Sequence, residues 1–549
     1  MNADEKLCPD CAEVVKVAAR KCRFCGYEFA PASLPANVLS ATSLSASPAT
    51  PLAAPRLRSG DIVDLLTHLV DKNLAVYEED EYGQGRNRLL ETVRQYARDR
   101  LMESGEGEAR RRRHLDYFVA LADEAEPKLH GPEQVAWLNQ LETEHDNWRV
   151  ALDWCQDNPD TADRALHLAV ALSPFWELRG PRSEGIDRLE EALAAQKPAQ
   201  AGDAAKRMLR AKGLGAAGYL LALFMFSQRG DYERARPLLE ESLRLAQELG
   251  EPRAIATALC RWGMLIWWRD GFAPARTFLE QSLALFQEIG DEYGISTALY
   301  RLAYNSYYQG DRATARRLFE QGLALDRKRG DTHAIGASLE GLAYVSWEQQ
   351  DFETARPLFE ESVRLLRQIG NQAGIGNALM SLANVARVQG DYKEAVLLLE
   401  ESIALFGEAG RPGSSAWALL GLGNVMRLLG DFGRASALYR EGLQKLQEVG
   451  DTGSLTVFML ERMAALAVAA CPGGLTGPRR AARLLGFSHS LRMEAAHPLP
   501  FVDHADYYDR LVEDVQSALG AEAFAAFWAK GEAMTLEQAT AYAMQEDAP

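Results

Sequence analysis

The chain has 549 residues, too many for one compact core, so it must hold several domains or a repeat array that grows by stacking. Its composition, 47% hydrophobic and 25% charged, is globular, and it contains no run of about 18 uncharged apolar residues that could cross a bilayer. A net charge of -17 works against non-specific attraction to nucleic acid or anionic membrane.

The N-terminus lacks the basic start, apolar middle and small-residue cleavage site of a secretory signal, which predicts a soluble, cytoplasmic protein. Its first signal is CPDC followed by CRFCG. Cys8, Cys11, Cys22 and Cys25 form two tight pairs ten residues apart, the spacing that lets four thiolates surround zinc tetrahedrally. Residues 1–29 therefore resemble a small zinc ribbon whose folding energy is largely metal binding, on the order of 10 kcal/mol. A closed four-cysteine site leaves no position for substrate, so the zinc is expected to be structural; a redox dithiol is the other use of such pairs. Cys155, Cys260 and Cys471 are far apart in apolar helical contexts, which argues against a disulfide framework.

Residues 30–58 are rich in Pro, Ala and Ser with almost no charge, the composition of a flexible tether. From Asp61 the pattern reads as a helix (DIVDLLTHLVDKN), a strand (LAVYEED), a turn around Gly83 and Gly85, a short strand (RNRLLE) and a helix (TVRQYARDRLME). Over 59–104 this order matches the second half of a winged helix. Residues 86–113 carry nine arginines against five acids, including Arg110, Arg111, Arg112 and Arg113. The helix that would support a recognition helix is missing, so the stretch is expected to be a solvated or intramolecular face, and direct DNA binding is disfavoured. Residues 105–160 read as a helical connector.

The strongest signal is a 40-residue period. Alanine recurs at Ala235, Ala275, Ala315, Ala355, Ala395 and Ala435, and glycine fifteen positions later at Gly250, Gly290, Gly330, Gly370, Gly410 and Gly450. Four residues after each alanine the side chain is large (Leu239, Leu279, Phe319, Phe359, Leu399, Tyr439); seven after, it is small (Ser242, Ser282, Gly322, Ser362, Ser402, Gly442). Those spacings lie on one helix face, where a small residue admits a neighbouring helix and a large one fills the gap. A midpoint break at Gly230-Asp231, Gly310-Asp311, Gly390-Asp391 and Gly430-Asp431, with Asp270-Gly271 and Gln350-Asp351 as variants, divides each unit into two helices: glycine ends the first and aspartate caps the second. Less regular units at 161–198 and 453–496 extend the array to about eight pairs over 161–498, and 499–549 adds terminal helices. The expected fold is a mainly α superhelix.

This pattern resembles the tetratricopeptide repeat, with a large-small pair in its first helix and alanine plus an aromatic in its second; the period here exceeds the usual 34 residues. The resemblance implies that first helices line a groove. Its candidate lining is Trp267, Trp268, Tyr300, Tyr304, Tyr307, Tyr344 and Trp347, giving way to Asn384, Arg387, Asn424 and Arg427, a surface suited to an extended peptide with apolar anchors and an acidic end. The aromatics have a second use, filling the tight inner curvature.

The blocks LVDKNLAVYEED, RNRLLETVRQYARDRLMESGE, RRRHLDYFVALADEAEP and WLNQLETEHDNWRVALDWC, with RAARLLGFSHSLRMEAAHPLP near the C-terminus, resemble the region following the ATPase in bacterial signal-transduction NTPases with numerous domains. There a winged helix joins the nucleotide module to a tetratricopeptide sensor. No GxxxxGK followed by Ser or Thr occurs, so ATP hydrolysis does not carry over. Glu144, His145 and Asp146 point in different directions on a helix, His489, His497 and His504 lack ligand spacing, and Ser488 lacks a nucleophile-elbow frame. The expected function is a non-catalytic interaction or sensor scaffold in bacterial signalling that holds a protein, peptide or small inducer in the groove. A separate ATPase is a possible partner. The alternative is a transcription regulator contacting DNA or polymerase through ribbon and winged helix.

Overall fold

The structure is a computed structural model that describes residues 5–7, 14–16, 59–79, 85–197, 203–223, 229–267, 269–450, 454–471, 473–494 and 503–545. Cys8, Cys11, Cys22 and Cys25, the stretch 30–58 and Trp268 lie outside the described residues. The chain divides into two compact units, residues 1–101 and 102–549.

In the first unit, Glu5–Leu7 and Val14–Lys16 pair antiparallel with Lys6 opposite Val15. Helix Ser59–Asp71 ends where Asn73 takes a left-handed φ of 55°, and the chain then forms an antiparallel hairpin of Ala75–Glu79 with Gly85–Leu89, followed by helix Glu91–Glu103. The helix, hairpin, helix order read from the sequence is present. Gly85 opens the second strand opposite Glu79 instead of sitting in the turn, and the Tyr77 ring covers it.

The second unit begins with helices Gly107–Lys128, Gln134–Thr143 and His145–Gln156. Eight antiparallel pairs follow: Ala162–Leu178 with Arg182–Ala195, Ala204–Ala222 with Arg229–Leu249, Pro252–Ile266 with Phe272–Glu288, Glu292–Tyr308 with Arg312–Arg329, Thr332–Glu348 with Phe352–Ile369, Gln372–Val388 with Tyr392–Glu408, Pro412–Leu428 with Phe432–Glu448, and Ser454–Ala470 with Thr476–Glu494. Helices Asp503–Leu519, Ala521–Glu532 and Leu536–Met544 pack on the last pairs. No described helix is long and apolar enough to cross a membrane.

Local chemistry explains the period. Gly310, Gly390 and Gly430 adopt φ between 82° and 85°, a left-handed stop that only glycine takes without strain, and Gln350 accepts the strained equivalent at 60°. The carboxylates of Asp311, Asp351, Asp391 and Asp431 then accept the N–H of the residue three positions on at 3.0–3.1 Å, which caps each second helix. The first regular unit differs. Its second helix starts at Arg229, so Gly230 and Asp231 lie in the first turn rather than at the break, with Asp231 at the electropositive helix end.

The repeated alanines at 235, 275, 315, 355, 395 and 435 are completely buried, and Leu239, Leu279, Phe319, Phe359, Leu399 and Tyr439 are almost so. Each such large side chain contributes about 1.5–3 kcal/mol of burial. The serines do more than leave space. Ser242, Ser282, Ser362 and Ser402 donate to the carbonyls of Ala211, Ala256, Gly336 and Gly376 at 2.7–2.9 Å, tying the second helix of a pair to the first.

A candidate ligand site inside the superhelix

First helices of successive pairs present a stripe to the inside of the array at spacings of three and four residues. On Glu292–Tyr308 the stripe is Tyr293, Thr297, Tyr300, Tyr304 and Tyr308; on Thr332–Glu348 it is His333, Ala337, Glu340 and Tyr344. They line a cavity of about 440 Å³, and an adjoining cavity of about 770 Å³ shares His130, Glu177, Tyr219, Tyr293, Thr297 and Arg301 with it. Both volumes fall within the range of about 300–1,000 Å³ usual for small-ligand pockets.

The tyrosines form a connected wall. Tyr300 and Tyr304 meet edge to face with centroids 5.0 Å apart, Tyr304 and Tyr308 stack at 6.1 Å, and Tyr307 and Tyr344 are 6.3 Å apart. Behind them the core ring of Phe319 stands 6.0 Å from Tyr300 and 5.1 Å from Tyr304, so the large residue that recurs in each second helix, here an aromatic, backs the wall.

A clasp closes this interior. The segment after helix Gly107–Lys128 reaches the turn that joins the pairs ending at Arg329 and beginning at Thr332. Gln134, fully buried, donates to Leu129 O at 2.6 Å and Asp331 Oδ1 at 3.1 Å, and accepts from the His333 N–H at 2.9 Å. Arg329 donates to His130 O at 3.2 Å, and His130 stacks on Tyr293 at 4.1 Å. One helix pair further along, Arg179 donates to Ile369 O and Asn139 Oδ1, each at 2.6 Å. Gly330 serves twice here: its φ is 72°, and a Cβ would lie 3.1 Å from Pro132.

The lining is largely apolar but carries several charged and polar side chains. Tyr219 Oη donates to Glu177 Oε1 at 2.6 Å and accepts from Arg301 Nη2 at 2.9 Å, while Arg182 donates to Glu177 O at 3.0 Å. Burial pushes the Glu340 carboxyl up to about 7, its Tyr344 hydroxyl contact of 3.4 Å being too long to offset much of that. Glu340 keeps a partly accessible surface because it borders the empty volume while protein surrounds it. Burial likewise raises Asp326 to about 6, against the opposing pull of the Ser296 hydroxyl at 2.6 Å, and drives His130 and His333 toward the neutral form.

Of the residues singled out from the sequence, Trp267, Tyr300, Tyr304, Tyr307 and Tyr344 border the smaller cavity. Trp267 and Tyr307 are themselves buried, and the Tyr307 hydroxyl donates to Glu348 at 2.6 Å. Trp347, Asn384, Arg387, Asn424 and Arg427 border neither cavity. Trp347 meets Phe352 edge to face at 5.1 Å, and Asn424 accepts from the Tyr439 hydroxyl at 2.8 Å, with Arg427 against the same phenol. Sequence reading missed Glu177, Tyr219, Arg301 and Glu340. The signal for Glu340 was a neighbouring column, Cys260, Tyr300, Glu340, Met380 and Leu420, where one acid interrupts otherwise uncharged residues at the 40-residue period.

Elsewhere the suggestive groups are structural. His145 and Arg149 both bond Glu184, at 3.2 Å and 2.5–2.6 Å, and despite burial they hold that carboxyl down at about 2. Ser488 and Arg492 each donate to buried Glu461 at 2.7 Å. Arg110 pairs with Glu106 at 2.9 Å, and Arg112 with Glu108 at 3.0 Å and Asp160 at 2.5 Å, so part of the basic stretch is matched intramolecularly. Among the described residues no group of three His, Cys, Asp or Glu could hold a metal.

Comparison with known proteins agrees with the repeat. The tetratricopeptide repeat family matches residues 254–328, 334–408 and 375–448. Proteins named HTH-type transcriptional regulators in Mycobacterium tuberculosis and Mycobacterium bovis are 35% identical over 202 residues, 37% of this chain. The match spans only 22% of those relatives' length. Among solved structures, a Rap protein complexed with competence and sporulation factor is similar at 15% identity and TM-score 0.47, covering 70% of this chain and 99% of that one. A signal-transduction ATPase with numerous domains and a tetratricopeptide sensor, from Pyrococcus horikoshii, is similar at 15% identity and TM-score 0.38, covering 70% of this chain and 58% of that one.

Proposed function

We propose that this chain is the non-catalytic sensing arm of a bacterial signalling regulator, and that it holds a small inducer or the end of a short peptide inside its superhelix. One observation carries the reading: a tetratricopeptide-like array closed by a clasp around a cavity whose lining is aromatic and charged. A filled core has little use for a carboxyl such as Glu340, which has no ion-pair partner among the described residues, because its burial costs free energy that a ligand or water can return. The volume suits a small molecule and excludes a folded partner. Ligand occupancy would be felt at the clasp, whose residues His130, Asp331 and His333 also border the cavity.

Ala337 lies mid-stripe on the cavity wall, so Ala337→Trp fills the space without touching the repeat core. In thermal unfolding against a panel of amines, carboxylates and di- and tripeptides, at least one compound is expected to raise the Tm of the wild type and leave Ala337→Trp unmoved. A panel that shifts both proteins equally, or neither, overturns the reading.

The cysteine pairs belong to the same proposal as a structural zinc ribbon, since four thiolates at that spacing are a donor set suited to tetrahedral zinc. Metal analysis of the full chain is expected to return about one zinc per chain, and none after Cys8→Ser with Cys22→Ser. A second reading, a transcription regulator that touches DNA or polymerase through the ribbon and the helix-hairpin-helix segment, is favoured by the names of the mycobacterial relatives. Salt-dependent duplex binding that disappears on neutralising Arg110 to Arg113 would separate it from the first. The internal pairing of Arg110 and Arg112 weighs toward the sensor.

A further inference from the structure

Glu340 stands out among the charged residues inside the superhelix. It borders the cavity from the helix Thr332–Glu348, and among the described residues no Lys, Arg or His forms an ion pair with it. Among the described residues its one hydrogen-bonding contact is the Tyr344 hydroxyl at 3.4 Å, and that hydroxyl already has a better partner in Ser381 Oγ at 2.6 Å. Neither Arg301 nor Arg182 acts appreciably on its charge. Around it stand tyrosines: Tyr300, Tyr304, Tyr308 and Tyr344 all feel the Glu340 charge, and the first three form a continuous edge-to-face and stacked cluster.

A carboxylate without a counter-ion, set among aromatic rings in a recessed cavity, has a specific complement. Ring faces carry negative potential and attract cations more strongly once both are desolvated. A metal ion would ask for several oxygen or nitrogen ligands in close geometry, which one carboxylate and a set of phenols do not supply. An organic ammonium asks for one anionic acceptor and a soft, largely apolar surround; the Glu340 side of the cavity offers that, while Arg301 and Arg182, which also line it, are engaged with Tyr219, Tyr300 and the Glu177 carbonyl. Burial also pushes the Glu340 carboxyl up to about 7, as expected of an acid lacking the charge it is built to face.

We propose that the cavity binds an organic ammonium ion, its charge set against the Glu340 carboxylate and the rings of Tyr304 and Tyr344. The assignment rests on reading the cavity as a ligand site, and it names the ligand class. Its origin as a free amine or the terminal ammonium of a peptide is one chemistry with two sources.

The test uses the full chain and calorimetric titration with phenethylammonium, benzyltrimethylammonium and glycyl-phenylalanine amide, against 2-phenylethanol and 3-phenylpropionate as neutral and anionic counterparts. At pH 8 at least one ammonium probe is expected to bind the wild type at least tenfold more tightly than either counterpart, the peptide amide and the simple amines distinguishing the sources. Glu340→Gln is nearly isosteric and removes a buried charge, so it should fold with a Tm no lower than wild type, and it is expected to lose at least tenfold in ammonium affinity. Equal affinity for 2-phenylethanol, or unchanged ammonium binding in Glu340→Gln, overturns the ammonium assignment. If 3-phenylpropionate alone binds and Ala337→Trp abolishes it, the assignment falls while the sensor reading stands. If Ala337→Trp leaves the binding of every probe unchanged, both fall.

Discussion

Replacing Phe319 with alanine is expected to remove about 3–5 kcal/mol from the stability of the array and to abolish ligand-dependent shifts at the same time. The ring is completely buried between the pair it belongs to and the next one, where a Cβ on Gly341 would approach it to 2.4 Å. No neighbouring side chain can collapse into the space without dragging the backbone of helix Thr332–Glu348. The ring also backs Tyr300 and Tyr304, so its loss should loosen the cavity wall from behind. In a stacked array each unit is stabilised mainly by its neighbours, and a defect in the fourth and fifth pairs should split unfolding into separate steps on either side. Denaturant unfolding followed by far-ultraviolet circular dichroism reads both effects. A single transition within 1 kcal/mol of the wild type would mean that the pairs on either side do not depend on this contact.

The second large effect concerns the clasp. Gln134→Ala leaves the His333 N–H without its partner in a buried setting, at a cost of about 1–3 kcal/mol, and removes one of the partners of the Asp331 carboxylate, which keeps Arg329 at 2.8 Å. Asp331 also caps helix Thr332–Glu348 through the Ala334 N–H at 3.0 Å, so the disturbance should reach the stripe that carries His333 and Glu340. Hydrogen exchange across residues 129–143 and 329–348 is expected to accelerate by about thirtyfold or more, while residues 412–448 keep wild-type protection. Gln134→Glu, which keeps the size and sets a second carboxylate against Asp331, should open the same region. Unaltered exchange in both variants would mean that the contact is incidental and does not hold the superhelix closed.

Much of the fold was legible because the period is imposed by local rules. Glycine in the left-handed conformation followed by a capping aspartate is a signal contained in two adjacent residues, and it recurs at Gly310-Asp311, Gly390-Asp391 and Gly430-Asp431. Buried alanine and the large residue four positions later follow from helical geometry alone. The first regular unit escaped because its break does not obey that rule, its second helix starting two residues ahead of Asp231.

The candidate site was legible only in part. Tyr300, Tyr304 and Tyr344 sit on the inner stripe and could be found from the period, whereas Trp347 and Arg427 lie away from the cavity, where their side chains meet Phe352 and Tyr439 of their own array. Polar side chains at repeated positions need not face a groove when a phenol such as Tyr439 is within reach.

The sequence by itself determined the paired helices, their forty-residue spacing and the identity of the buried interface, since each depends on interactions between residues close along the chain. Only the tertiary structure decided that the array turns far enough for Gln134 to meet Asp331 and Arg179 to meet Ile369, partners 197 and 190 residues apart. That closure depends on small rotations between pairs, summed over several units, which no single repeat encodes. It is what turns a shallow groove into a recessed cavity and leaves Glu340 facing tyrosines.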